Sequence, residues 1–419
     1  MLYKSTDACF CGNKRIFCSY LQAHQPLFSK LKHQSCKHLH KFKKGNSFFF
    51  RTCRMLLFLL IVLILTLIVI SFISQPQFGK LPSGDRLRRI TQSPHFSNGK
   101  FQNLTFTPDL TNGATYYSVM KEILFSKTER LRPTSPIPSI KTDLNALRME
   151  DDVLVWLGHS AYYLQVDGKR ILVDPVFSGS ASPLPGGTKA FAGADIYKTT
   201  DIPKIDLLFI SHDHWDHLDY QTVKKLRPQI GEVICPLGVG EHLEYWGYDK
   251  NILHEKDWNQ EIDLGNGFSV TVVTARHFSG RSFLRNKALW ASFVLRTPTM
   301  KIFLGGDSGY DTHFADIGNR FGPFDLAILE NGQYDLNWQH IHLMPGEFLQ
   351  AAADLKARNV LPVHSAKFKL GNHAWDEPLQ KLSMQRSIPG IRVITPMIGE
   401  PVLLKDESQP FSPWWQSVK

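Results

Sequence analysis

From Met55 to Ile73 the chain reads MLLFLLIVLILTLIVISFI, nineteen residues without a charge. A helix of this length rises about 28 Å, close to the roughly 30 Å hydrocarbon core of a bilayer. A core helix of a soluble domain keeps a polar stripe, and this run has none. The sequence therefore predicts a single membrane-spanning helix over residues 55–74. Arg51 and Arg54 stand directly before it, with Lys41, Lys43 and Lys44 further back, and nothing basic follows until Lys80. The positive-inside rule then puts the N-terminus in the cytoplasm and the body on the opposite face, the periplasm of a bacterium. The competing reading is a cleaved signal peptide, but the run exceeds an ordinary h-region and ISFISQPQF offers no clear small-x-small cleavage site. Translation from Met55 would remove the residues before the span and keep the span.

Charge is divided unevenly. The whole chain has 48 basic and 38 acidic residues, but residues 1–54 hold 11 Lys or Arg against the single acid Asp7, so residues 55–419 are net neutral. The body thus lacks the broad basic track of a nucleic-acid binder, and no nucleic-acid partner is expected. Five cysteines also precede residue 55, leaving Cys235 alone in the apolar run EVICPLG, where a free thiol packs as a small hydrophobe. Cys9, Cys11, Cys18 and Cys36, with His33, His38 and His40, are the only material for a small zinc module in the leader. Their spacings fit no ordinary pair of knuckles, and the expectation for 1–54 is a basic, unstructured leader.

Residues 75–150 are broken by Pro76, Pro82, Pro94, Pro108, Pro133, Pro136 and Pro138, and read as a spacer wrapping the body, with one helix near TYYSVMKEILF. From 151 the texture changes to short β-rich runs, VLVWL, AYYLQV, RILVDP, DLLFIS, EVICP, SVTVVTA, ASFVLRT, KIFLGG, DLAILE and NVLPVH, each closed by polar or turn residues. Helical patterns lie between some of them. In PGEFLQAAADLKAR, Phe348, Ala351, Ala352 and Leu355 form an apolar stripe opposite Glu347, Asp354 and Arg358. The expected fold class is α/β, a layered domain of mixed sheets covered by helices over 151–404. Residues 405–419 form a tail whose Trp414 and Trp415 either pack back on the body or touch lipid.

SHDHWDHLD follows the apolar run IDLLFI directly, so one strand end and its turn carry four metal-capable side chains, His212, His214, Asp216 and His217. His277, Asp307 and His364 each follow another β-rich run, and strand ends meeting at one edge of a sheet sandwich would gather all seven. Five imidazoles and two carboxylates exceed the three or four protein ligands of one tetrahedral zinc and suit two metals sharing a carboxylate. Asp307, after Gly305 and Gly306, is the natural bridge, since glycine lets backbone come close to the ions. A metal pair lowers the pKa of bound water to about 7, which makes this a hydrolase centre.

WLGHSAYYLQVDGKRILVDP, HDHWDH, ARHFSG, GGDSGY and LPVH, in this order over about residues 80–385, resemble the successive motifs of the metallo-β-lactamase superfamily, in the branch of the N-acylphosphatidylethanolamine-hydrolysing phospholipase D and its bacterial relatives. The resemblance implies a four-layer αβ/βα sandwich with two zinc ions at one edge. It assigns His212, His214 and His277 to one metal, Asp216, His217 and His364 to the other, and Asp307 between them. Asp174 in ILVDP matches the acid that braces the metal loop. His342 in HIHLMP matches an additional pocket histidine, which either assists the leaving oxygen or stands behind the site. Asp216, Asp307 and His342 are the expected catalytic side chains. The lipid-binding residues of the family have no clear match here.

The function expected is a membrane-anchored, zinc-dependent hydrolase of a phospholipid or a small phosphodiester, with the membrane itself as a partner. A lactonase or other carbonyl hydrolase using the same centre is the alternative enzyme, and a metal sensor without turnover the alternative of another class. A sensor would tolerate loss of a ligand, and all seven candidates are present. The oligomeric state, a homodimer included, is left open by the sequence.

Overall fold

The structure is a computed structural model that describes residues 25–125, 128–184 and 186–418, with side chains from Phe48 onward. The chain divides into two compact units, residues 1–72 and 73–419. In the first, one helix runs from Gln25 to Ile73. Its stretch Phe48–Ile73 is long and apolar enough to cross a membrane, and the large apolar side chains from Met55 to Ile70 are all exposed. Residues 25–54 are therefore helical where an unstructured leader was expected. Pro26 stands in the first turn, where proline is tolerated, and Leu, Lys and Gln further along are good helix formers. The leader's candidate zinc ligands, Cys9, Cys11, Cys18, Cys36, His33, His38 and His40, lie outside the residues whose side chains are described.

The second unit contains two seven-stranded mixed sheets. In the first the spatial order is Pro401–Leu403, Val153–Trp156, Tyr162–Val166, Lys169–Val173, Ile205–Phe209, Ile230–Pro236 and Leu253–Lys256. Pairing is antiparallel as far as Lys169–Val173 and parallel beyond it. In the second the order is Arg392–Val393, Ala357–Val363, Phe324–Glu330, Lys301–Leu304, Ser292–Arg296, Phe268–Val273 and Glu261–Gly265. There the four strands from Arg392–Val393 to Lys301–Leu304 pair in parallel. All ten β-rich runs of the sequence are strands. The four strands beyond them, Leu253–Lys256, Glu261–Gly265, Arg392–Val393 and Pro401–Leu403, are the sheet edges, short or polar as edges usually are.

Side-chain alternation makes the layers. Leu154, Trp156, Leu207 and Phe209 from the first sheet meet Ile302, Leu304, Leu326 and Ile328 from the second in one inner core. Their sequence neighbours point outward: Val153, Val155 and Leu208 pack on helices Tyr220–Leu226 and Val239–Tyr245, and Phe303, Ala327 and Leu329 pack on His313–Phe321 and Phe348–Asp354. Burial on both faces is why these strands read as near-continuous apolar runs. The result is the four-layer sandwich expected, helices, sheet, sheet, helices. The stripe of Phe348, Ala351, Ala352 and Leu355 is fully buried, as its spacing predicts. Cys235 is buried on its strand, and Trp414 and Trp415 pack back on the body, Trp414 Nε1 donating to Pro396 O at 3.1 Å.

Between Ile73 and the first sheet strand lie helix Gly84–Thr91, the two-strand ribbon Phe96–Ser97 with Lys100–Phe101, and helix Tyr116–Phe125 within TYYSVMKEILF. The beginning of this segment is fastened to the body. Trp246 Nε1 donates to Pro76 O at 2.7 Å, Phe78 packs edge-on against Trp215, and Arg86 reaches Glu255 at 2.6 Å, Glu241 at 2.5 Å and Glu244 at 2.9 Å.

Candidate metal centre

Parallel strands end side by side, so residues just past their C-termini converge, the usual place for a site in α/β sheets. Asp174 follows Lys169–Val173, His212 to His217 follow Ile205–Phe209, Asp307 follows Lys301–Leu304, and His364 follows Ala357–Val363. His277 arrives from the antiparallel strand Phe268–Val273. Gly305 and Gly306 have a reason other than ion approach. A Cβ on Gly305 would lie 2.4 Å from Ile328 O and one on Gly306 2.6 Å from Ala291 O, so the strand end carrying Asp307 is squeezed between neighbouring backbones.

Two donor groups form on either side of Asp307. In the first, His212 Nε2 is 2.9 Å and His277 Nε2 3.2 Å from His214 Nδ1, with Asp307 Oδ2 3.9 Å from His212 Nε2 and 3.7 Å from His277 Nε2. In the second, Asp216, His217 and His364 come together with His159, which reaches Asp216 Oδ2 at 2.9 Å through Nε2. Asp307 joins them through Oδ2 to His217 Nε2 at 3.2 Å and Oδ1 to His364 Nδ1 at 3.1 Å. The sequence-derived set of seven is thus brought together in full. Asp174 stands behind it, its Oδ2 2.8 Å from His217 Nδ1 and its two oxygens accepting from Ser211 N at 2.8 Å and Ser211 Oγ at 2.5 Å. His342 reaches the same cavity, with Nδ1 2.6 Å from Glu330 Oε2.

The donor atoms fit metal ions. His277 Nδ1 donates to Ile341 O at 2.8 Å, which leaves Nε2 of the neutral ring with its lone pair toward the other two histidines. Two nitrogens on one tetrahedral ion would stand roughly 3.3 Å apart, near the separations seen. His217 Nε2 and Asp307 Oδ1 are buried without a hydrogen bond, an arrangement costly unless something cationic satisfies them. Burial holds His212, His277 and His364 well below the usual imidazole range and pushes His214 down to about 4, so these rings are neutral at pH 7, the form a metal ligand requires. For His217 burial works against the charge, but Asp307, Asp216 and Asp174 outweigh it and raise the pKa. That proton occupies the place a metal would take. Burial also pushes the Asp307 carboxyl up to about 6, against the pull of His217, a tendency a bound cation would reverse.

Sequence reasoning missed His159 and Glu330. Both obey the same strand-end rule, His159 after Val153–Trp156 and Glu330 as the last residue of Phe324–Glu330. Glu330 accepts from Ser308 N at 2.7 Å and Leu343 N at 3.1 Å besides facing His342. Arg281 was also unmarked. Fully buried, it donates to Asp213 O at 2.8 Å and Leu218 O at 2.7 Å, within and just past the metal loop, and to Gln77 O at 2.8 Å from the post-span segment. Its guanidinium lies 4.0 Å from the Trp215 ring centre. The cavity over the donors has a volume of about 420 Å³. Its wall includes Asp109, Leu110 and Tyr116 from the spacer.

Residues 169–365 match the family model described as "Beta-lactamase superfamily domain". An uncharacterised protein of Mycobacterium tuberculosis is 35% identical over 78% of this chain and 88% of its own length. The N-acyl-phosphatidylethanolamine-hydrolyzing phospholipase D 1 of Caenorhabditis elegans is 30% identical over 68% of this chain and 85% of its own. A solved metallo-hydrolase from Ignicoccus hospitalis aligns with 20% identity and a TM-score of 0.46, over 60% of this chain and 97% of that one. With its fold and a matched relative covered nearly end to end, the chain belongs to the metallo-β-lactamase superfamily of metal-dependent hydrolases, in the branch related to the N-acylphosphatidylethanolamine-hydrolysing phospholipases D.

Proposed function

We propose that this protein is a membrane-tethered phosphodiesterase that cleaves a phospholipid head group with two zinc ions. The observation that carries the reading is Asp307, whose Oδ2 stands between two donor groups in one cavity, 3.7 Å from His277 Nε2 and 3.2 Å from His217 Nε2. His212, His214 and His277 would hold one ion and Asp216, His217 and His364 the other, with Asp307 shared. Bound there, the ions would supply a nucleophilic water at neutral pH and neutralise charge on a phosphoryl group. The remaining work falls to the chain. Asp174 keeps a proton on His217 Nδ1 and so turns Nε2 inward. Glu330 fixes the His342 ring through Nδ1, which leaves the other ring nitrogen free to hydrogen-bond the departing oxygen. Asp174, His212, Asp307, Glu330 and His364 are preorganised at or just past strand ends, while His277 and His342, in the connections 274–291 and 331–347, are held by Ile341 O and Glu330.

The phospholipid part of the reading is supported by the relative from Caenorhabditis elegans and by the apolar helix Phe48–Ile73, which would hold the site near lipid and raise its local concentration. The basic residues before the helix favour a cytoplasmic N-terminus with the body across the membrane. The full-length chain with zinc, incubated with N-acylphosphatidylethanolamine vesicles in ¹⁸O-water, should release an N-acylethanolamine and place one ¹⁸O in phosphatidic acid. Turnover of lactones with none of phosphodiesters would overturn the proposal in favour of carbonyl hydrolysis.

A further inference from the structure

His242 is buried between the metal loop and residues 76–80. Its Nδ1 accepts from Lys80 N at 3.1 Å, which leaves Nε2 to carry the ring proton and donate to Asp213 Oδ2 at 3.2 Å. The ring also stacks on Trp246, centroids 5.8 Å apart, and Trp246 Nε1 donates to Pro76 O. The approach is close enough to require glycine: Gly79 has φ +75°, and a Cβ there would lie 2.0 Å from His242 Nδ1. On the far side of His242 stands Asp213, itself buried, between His212 and His214 in the sequence. Its Oδ1 accepts from Gly280 N at 2.6 Å, a little past His277. One carboxylate therefore ties together the two loops that carry His212, His214 and His277. Its other oxygen is held by a histidine whose remaining nitrogen is taken by Lys80. Arg281 makes a parallel connection through backbone, from Asp213 O to Gln77 O.

We infer that His242 is a positioning residue for the metal ion of His212, His214 and His277, and that residues 76–80 are its fixed support. Ligand rings must be held to within about 0.5 Å of the productive geometry, so the groups behind them set the affinity. The effect is confined to one ion, because the other has braces of its own: Asp174 holds His217, and His159 holds Asp216. The support is also the direct continuation of the membrane-length helix. That helix ends at Ile73, and only Ser74 and Gln75 stand between it and Pro76. A proteolytic cut before Pro76 would release the body with this support in place, and a cut just beyond Lys80 would take it away. Metal loading is thus tied to the integrity of the segment that follows the helix. The inference rests on the paired metal site proposed above and on no particular substrate.

The test is stepwise zinc titration of the chelated full-length chain against a fluorescent zinc competitor. His242→Phe keeps the stack on Trp246 and removes both hydrogen bonds. It should weaken one of the two ions about 10-fold, the lower end for loss of a ligand's support, and leave the other unchanged. His242→Gln, whose amide can accept from Lys80 N and donate to Asp213, should recover most of that affinity. Gly79→Ala, which disturbs only the supporting segment, should reproduce the loss. In a His364→Ala background the remaining ion should still respond to His242→Phe, and in a His277→Ala background it should not. Unchanged affinity in His242→Phe or in Gly79→Ala would overturn the inference. So would equal weakening of both ions with a lowered Tm, which would make His242 a general structural residue. A wild type that binds a single ion would contradict the paired site, and the inference would then stand or fall on whether His242→Phe weakens that ion.

Discussion

Asp174 Oδ2 lies 2.8 Å from His217 Nδ1, and Asp174 Oδ1 accepts from Ser211 N. One carboxylate thus fixes both a ligand ring and the first residue of the loop that carries it. Asp174→Asn can keep the bond from Ser211 N only by turning its amide NH₂ toward His217, which imposes the wrong tautomer. Affinity for one of two metals should fall about 10–100-fold, the usual cost of losing such a partner, with activity recovered at raised zinc. Metal titration of the chelated protein checks this, and an unchanged second binding event would remove the brace from the account.

Arg281 joins Gln77 O to Asp213 O and Leu218 O. Lysine cannot span three carbonyls with one fork or lie flat on Trp215. Arg281→Lys should therefore destabilise the body by about 2–3 kcal/mol, from carbonyls left unpaired in the interior. Denaturant unfolding would give the loss, and faster proteolysis near Gln77 should accompany it.

Arg86 has only 11% of its side chain exposed and serves Glu241 and Glu255, both nearly buried. Arg86→Ala strands these carboxylates and should cost about 3 kcal/mol or more. The same clamp is pH-dependent. Burial disfavours charge on Glu241, but the bonds from Arg86 and Lys80 outweigh it and hold its pKa below the usual value. The stability it lends is present above the unfolded pKa of about 4.3 and is lost as pH falls through the lower folded value. Protease sensitivity of residues 74–91 should rise below about pH 4, and Glu241→Gln should show the same sensitivity already at pH 7.

If the apolar helix is an uncleaved span, a phosphatase reporter fused after Lys419 should be active in a bacterial host, and the body should stay in the membrane fraction through a carbonate wash. Soluble protein with a new N-terminus near Gln75 would show a signal peptide instead and leave the metal chemistry untouched.

Much of this was legible because strands buried on both faces announce themselves as apolar runs, and because the site hangs on their ends. His212 stood out by the dense SHDHWDH motif at one strand end, and His277, Asp307 and His364 by that rule. His159 and Glu330 obey it too, but one stands in a tight turn inside WLGHSAYY and the other looks like an ordinary strand-end acid. Nothing local in the sequence places them beside Asp216 and His342. The edge strands Leu253–Lys256 and Arg392–Val393 were illegible because they are short and partly polar. Arg281 was hidden for another reason: its three acceptors are backbone carbonyls, which carry no residue identity.

The central claim is a paired metal site built around Asp307, and the metal-to-chain ratio tests it most directly. Full-length protein purified without chelator and titrated with zinc should bind two ions per chain, and Asp307→Ala should lose the pair together, because its Oδ2 lies between the donor groups, 3.7 Å from His277 Nε2 and 3.2 Å from His217 Nε2. A wild-type ratio of one or fewer with no second binding event, or an Asp307→Ala protein that still binds two ions, would contradict the account.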